Sequence, residues 1–97
     1  MALERDYQPR LKERLESLFP GCYILKNDTR YIQGIPDLLI LWKDRWAILE
    51  VKKSDKEPYR PNQEYYISEL DRMSFSRMIC PENEEEVLSD LQRAFGS

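Results

Sequence analysis

Apolar residues along this chain follow two rhythms, one of helical spacing and one of short continuous runs. Tyr7, Leu11, Leu15 and Leu18 recur at helical spacing and stop at Pro20-Gly21, which predicts a first helix within about residues 6–19. Pro9 suits the first turn of that helix, where its missing N–H has no partner to lose. At about 100° per residue, Glu4 projects onto the same face as these apolar residues, while Glu13 and Glu16 point away. Residues 22–26 (CYILK) read as a first strand, followed by a polar loop over residues 27–33. Gly34-Ile35-Pro36 is a breaker leading into Asp37. Two strongly apolar runs then follow, residues 38–42 and 46–49, separated by Lys43-Asp44-Arg45. Runs of this length around a turn signal read as the paired strands of a hairpin.

Beyond the hairpin, residues 54–61 (SDKEPYRP) form a charged connection containing two prolines, expected to be a loop beside the hairpin's end. Asn62 is a suitable N-cap for a second helix over about residues 63–73, with Tyr66, Ile67 and Leu70 inward. Residues 75–80 (FSRMIC) read as a fourth strand. A last helix spans about residues 84–95, and Glu84, Glu85 and Glu86 in its first turn suit the helix dipole. The predicted order is α-β-β-β-α-β-α, an α/β fold in one domain covering residues 1–97. Both faces of the hairpin are apolar, which predicts a central position with helices on each side. Trp42, Trp46, Tyr65 and Tyr66 are expected to pack in the core and at its edges.

Composition narrows the chemistry. With 34 % charged residues and a mean hydropathy of -0.70, the chain reads as soluble. No stretch approaches the roughly 18–20 apolar residues that span a bilayer, and no signal-peptide pattern opens the chain. The expected compartment is the cytoplasm, with no membrane partner. Cys22 and Cys80 lie in apolar runs and read as buried, reduced thiols. Histidine is absent, which excludes His-based triads and the usual zinc sets, so any metal must be a hard ion held by carboxylates. The net charge of -3 is unevenly spread: residues 1–62 hold twelve Lys/Arg against ten Asp/Glu, residues 63–97 three against eight. Lys26, Arg30, Lys52, Lys53, Lys56 and Arg60 lie in the basic half as a candidate anion-binding strip, with ordinary solvated charge as the alternative. Tyr31 and Tyr59, in polar loops beside Arg30 and Arg60, are candidates for touching nucleic acid.

The hairpin carries the sharpest signal. A loop at residues 42–45 sets Leu41 against Trp46 and Asp37 directly opposite Glu50, and a slip of one residue would send the two carboxylates to opposite faces. Lys52, two residues beyond Glu50, projects to the same face. A phosphodiester repels hydroxide, so its cleavage needs a positive centre that also generates the nucleophile. A magnesium ion on Asp37, Glu50 and the Val51 carbonyl meets that need, with Lys52 orienting water and stabilising charge on the phosphate. A strand-edge ion pair between Lys52 and Asp37 or Glu50 is the competing reading of the bare pattern.

With its acid after a Gly-x-Pro breaker and its Glu-x-Lys closing an apolar strand, the chain resembles the PD-(D/E)XK nucleases. Pro36-Asp37 matches the family's Pro-Asp, Glu50-Val51-Lys52 its Glu-x-Lys, and the element order covers nearly the whole chain. The stretches LFPGCYILKND, QGIPDLLIL and RPNQEYYI look most like small phage-borne endonucleases of the virus-type replication-repair and Holliday-junction-resolvase groups. The resemblance implies a restriction-endonuclease-like core, a central mixed four-stranded sheet flanked by helices, here with an extra C-terminal helix. It implies that Asp37 and Glu50 bind metal, that Lys52 is the catalytic lysine, and that Glu4 from the first helix completes the metal site. A glutamine on the second helix, matched by Gln63, would lie near the scissile phosphate. Water alone is Gln63's other candidate partner. In the RecB-like branch a tyrosine follows one place later than Tyr66 does here, so the chain is not assigned to that branch.

The function expected on these grounds is a Mg²⁺-dependent DNA endonuclease, with Mn²⁺ able to substitute, acting on branched DNA in phage recombination or repair. So small a chain has no separate recognition domain, and symmetric cutting of a four-way junction calls for a homodimer. The alternatives are a weakly selective nicking or end-processing DNase and an inactive DNA-binding module. A protein-interaction domain using the acidic C-terminal helix leaves the hairpin unexplained.

Overall fold

The computed structural model describes residues 4–96, with side chains from residue 6 onward. Seven elements follow in the expected order: α1 (Glu4–Leu18), β1 (Tyr23–Lys26), β2 (Leu38–Trp42), β3 (Arg45–Val51), α2 (Gln63–Met73), β4 (Ser76–Ile79) and α3 (Glu84–Phe95). The four strands form one mixed sheet in the order β1-β2-β3-β4, antiparallel except for the parallel β3–β4 pair. The parallel pair requires a crossover, and the loop before α2 together with α2 itself provides it.

The hairpin closes on a two-residue turn, Lys43-Asp44, with Trp42 paired to Arg45 and Leu41 to Trp46. Lys43 adopts φ +57 to make the reversal, and its ammonium lies 4.3 Å from the centre of the Trp42 ring. One further step in this register brings Asp37 opposite Glu50, as the hairpin pattern predicts.

Alternation along the strands builds two unlike faces. Leu38, Ile40 and Trp42 of β2 and Ala47, Leu49 and Val51 of β3 point to one side. There they join Tyr7, Leu11, Leu15 and Phe19 from the α1 side and Val87, Leu88, Leu91 and Phe95 of α3 in one continuous core. Phe19, Trp42 and Phe95 make an aromatic triangle with centroid separations of 5.1 to 5.9 Å, and the Trp42 indole N–H donates to the Pro20 carbonyl at 2.9 Å. α2 covers β3 and β4 on the opposite face. Helices therefore lie on both sides of the hairpin, but the second face is covered only in part. Over β1 and β2, Tyr23 (72 % exposed), Leu25 (48 %) and Leu41 (37 %) remain open.

Three local expectations change. The first helix starts at Glu4, which moves Pro9 beyond its first turn. Proline there forfeits one hydrogen bond near the helix start, and burial of Tyr7, Leu11 and Leu15 holds the helix regardless. Asn62 does precede α2, but at φ +71 and without a side-chain capping bond. Its amide instead donates to the Gln33 carbonyl at 3.5 Å, so the residue ties two loops together. Tyr66, Ile67 and Leu70 are half-buried and Tyr65 is exposed, because α2 rests on only two strands; its one fully buried residue is Gln63. Both cysteines are free thiols, Cys80 buried and Cys22 half-buried.

Candidate active site

Asp37 lies one residue ahead of β2, locked from both sides. Its carbonyl accepts the Asn27 N–H at 2.7 Å, while the Asn27 amide donates to the Pro36 carbonyl at 2.8 Å. Across the hairpin, carboxylate oxygen Oδ2 accepts the Val51 N–H at 3.3 Å. In extended backbone a residue's N–H and C=O leave the same edge of the strand, so the Val51 carbonyl faces Asp37 as well. The neighbouring Lys52 N–H points the other way, to the Ile79 carbonyl at 2.9 Å. Burial pushes the Asp37 carboxyl above the ordinary carboxylate range. The Val51 N–H, the Lys26 charge and interactions with Glu50 and Lys52 pull it back in part.

Glu50, Lys52 and Gln63 are almost wholly buried, and they contact one another. The Gln63 carbonyl oxygen accepts from Lys52 Nζ at 2.9 Å and from the Arg60 N–H at 2.7 Å, while its Nε2 donates to Glu50 Oε2 at 3.1 Å. This amide orientation is the one that presents oxygen to the ammonium and nitrogen to the carboxylate. Lys52 Nζ also donates to the Pro58 carbonyl at 3.2 Å. Two carboxylates stand further off, Glu50 at 3.8 Å and Glu57 at 3.7 Å. A buried ammonium requires such partners, and here they come from β3, from α2 and from the loop between them.

These groups share a cavity of about 280 Å³. Asp37, Glu50, Lys52, Glu57 and Gln63 line one part of it, and Thr29, Gln33, Gly34, Arg60 and Pro61 the rest. The two loops meet at Gly34, whose φ is +93. A Cβ at Gly34 would lie 2.6 Å from Asn62 Cβ and 2.8 Å from the Pro61 carbonyl oxygen. Only glycine permits this approach, and through it the segment leading to Asp37 is seated against the turn leading to Gln63.

Of the residues singled out in the sequence, Asp37, Glu50, Val51, Lys52 and Gln63 come together. Glu4 begins α1, and its side chain lies outside the described residues. The basic strip changes: Lys52 is interior, with 2 % exposure, because the cluster above encloses it, and so it is not a surface cation. Lys26, Arg30, Tyr31, Lys53, Lys56 and Tyr59 are exposed but do not line the cavity, whereas Arg60 does. Arg30 is paired with Asp28 at 3.0 Å. Glu57 and the packing role of Gly34 are not predicted by the sequence pattern. The only sequence signals were an acid in the charged loop and a glycine in a breaker.

The donors suit a hard divalent cation. Asp37, Glu50 and the Val51 carbonyl are oxygen donors, and Mg²⁺ is commonly held by one or two carboxylates plus waters and substrate phosphate. Among the described residues no group of three or more His, Cys, Asp or Glu side chains is arranged to hold a metal. Compared with protein-family models, curated proteins and solved structures, the chain matches none. Among the described residues no helix is long and apolar enough to cross a membrane.

Proposed function

We propose that this protein is a Mg²⁺-dependent DNA endonuclease of the PD-(D/E)XK type, hydrolysing phosphodiester bonds with a preference for branched DNA. The observation that carries the reading is the junction of Asp37, Glu50 and a buried Lys52 in one cavity, with Gln63 bridging the last two. Buried charges are costly, and a site that keeps an ammonium and two carboxylates around an open cavity is organised for something other than stability.

When bound, Mg²⁺ would supply Lewis-acid polarisation of the phosphate and a water of lowered pKa. Asp37 and Glu50 would hold it, with the Val51 carbonyl as a main-chain donor and Glu4 as the candidate acid from α1. Mn²⁺, with the same preference for oxygen, would substitute. Lys52 orients water at the phosphate and balances the charge that develops there. Gln63 fixes Lys52 and Glu50 relative to each other, and Arg60 on the rim offers the phosphate backbone a cation. Paired incision at a four-way junction would need a homodimer, and phage recombination or repair in the host cytoplasm is the setting that the resemblance suggests.

A second reading is a DNA-binding module in which the same charges serve only as ion pairs. The full set of partners already engaging Lys52 favours it. Cleavage of a labelled four-way junction, a linear duplex and a single strand, with and without Mg²⁺, separates the two. The nuclease reading expects paired cuts at the junction that disappear in Glu50→Gln while that variant still binds DNA. Comparable nicking of all three would retain the nuclease and drop the branch preference. Absence of cleavage with either Mg²⁺ or Mn²⁺ would leave the binding module.

A further inference from the structure

The loop over residues 27–36 forms one wall of the cavity through Thr29, Gln33 and Gly34, and between them it turns two apolar side chains into solvent. Tyr31 is 82 % exposed, the most exposed large apolar side chain among the described residues, and Ile32 beside it is 42 % exposed. Floppiness does not explain this display. The Tyr31 N–H donates to the Asp28 carbonyl at 3.0 Å and the Ile35 N–H to the Ile32 carbonyl at 3.2 Å. The Asp28 carboxylate accepts from the Arg30 N–H at 2.9 Å. At its far end the loop is clamped where Gly34 meets Asn62 and Pro61. A loop with its own hydrogen bonds holds an aromatic and a β-branched side chain in water, between residues that line the cavity. The fold gains no core from either.

We infer that Tyr31 and Ile32 form a wedge that enters an opened base step beside the scissile phosphate, and that this wedge selects branched or locally unpaired DNA over continuous duplex. The inference rests on the nuclease reading for its substrate and extends it to the source of selectivity. Apolar side chains enter DNA by separating stacked bases, and aromatic rings then stack on a freed base whatever its identity. In continuous duplex the separation must be made at the protein's expense, whereas at a junction or fork the step is already open. Arg30 adjoins the pair in sequence, its guanidinium held by Asp28, and Arg60 lines the same cavity. The loop therefore sets an apolar tip for bases beside a cavity in which Arg60 can meet a phosphate.

The test uses the full chain carrying Glu50→Gln, so that binding is read without cleavage. Affinity is measured, in buffer of fixed salt, for a forked duplex and for a linear duplex of the same sequence, with and without Tyr31→Ala plus Ile32→Ser. Both substituted side chains are exposed, and circular dichroism checks that the fold is unchanged. The expected result is a loss of about tenfold or more on the fork and less than twofold on the linear duplex. A 2-aminopurine at the branch should also change fluorescence on binding, and the double substitution should abolish that change. Equal losses on both DNAs, or an undiminished preference for the fork, would overturn the wedge. So would light scattering that shows the substitutions dissolving a dimer, since the pair would then contact protein. Because the readout is binding, a chain that proves unable to cleave DNA would sink the nuclease reading without deciding this one.

Discussion

Strand β3 and the residue that follows it send Ala47, Leu49 and Val51 to one side of the sheet and Ile48, Glu50 and Lys52 to the other, and the two sides differ in kind. Toward α1 and α3 the core is continuous and apolar, closed by the Phe19–Trp42–Phe95 triangle. Toward α2, the buried set includes Glu50, Lys52, Gln63 and Ser76, and the rest of that face, over β1 and β2, is open. A strand has a period of two, so neighbouring residues of one short segment can serve stability and chemistry separately. Substitutions on adjacent residues should then have unlike consequences.

The largest contrast is expected between Leu49 and Lys52. Leu49→Ala leaves a cavity in the fully buried core and should cost about 2–5 kcal/mol of stability, enough to lower Tm by roughly ten degrees or more in a domain of this size. Lys52→Ala should instead lower cleavage by about 10²–10³-fold while calorimetric Mg²⁺ binding persists, because Lys52 is placed to act on water and phosphate rather than to hold the ion. Loss of metal binding and cleavage together would refute that division of roles. A cleavage rate for Lys52→Ala within a few-fold of wild type would remove Lys52 from the chemistry.

Next in size is Gln63, which joins the polar face to itself. Gln63→Ala removes the acceptor for Lys52 Nζ and the Arg60 N–H and the donor to Glu50, at a cost of about 1–3 kcal/mol. Denaturant unfolding measures that cost, and cleavage should fall with it. If Gln63 only caps α2, stability would drop slightly and cleavage not at all. Asp37→Asn carries the opposite sign. Burial holds the Asp37 carboxyl above its ordinary range, which means that the folded chain disfavours its charge. At neutral pH and without metal the amide should raise Tm while abolishing cleavage. A fall in Tm would show that the Val51 N–H and the nearby cations outweigh the desolvation.

How much of this was legible in the sequence depends on the range of the interactions. The hairpin, its register and the meeting of Asp37 with Glu50 follow from local alternation around a two-residue turn, and the structure has them as expected. The helix borders were approximate. Pro9 sits inside α1 because tertiary burial outweighed a local rule, and sequence pattern does not register that balance. The enclosure of Lys52 was hidden for a different reason. Its partners Pro58 and Gln63 lie six and eleven residues away across an irregular loop, and nothing periodic marks such a loop. The same holds for Glu57. Gly34 announced a break in structure, but its contact with Asn62 depends on how the two loops dock. The second face also looked covered from the apolar character of the hairpin alone. Alternation says which residues share a face and not whether a helix reaches them.

That uncovered quarter gives the smallest expected effect. Tyr23 and Leu41 are paired across β1 and β2, and both point away from the core. With 72 % of Tyr23 already exposed, Tyr23→Ser removes little buried area. The change in stability should stay within about 0.5 kcal/mol. Thermal unfolding at two protein concentrations a hundredfold apart makes the measurement informative in either direction. Insensitivity to both substitution and concentration would establish the open face as a tolerated feature of a four-residue edge strand. A loss of several degrees that depends on concentration would mean that a second copy covers the face in solution. The contrast between the two sides of the sheet would then be one of partners, the first closed by the chain's own helices and the second by its twin.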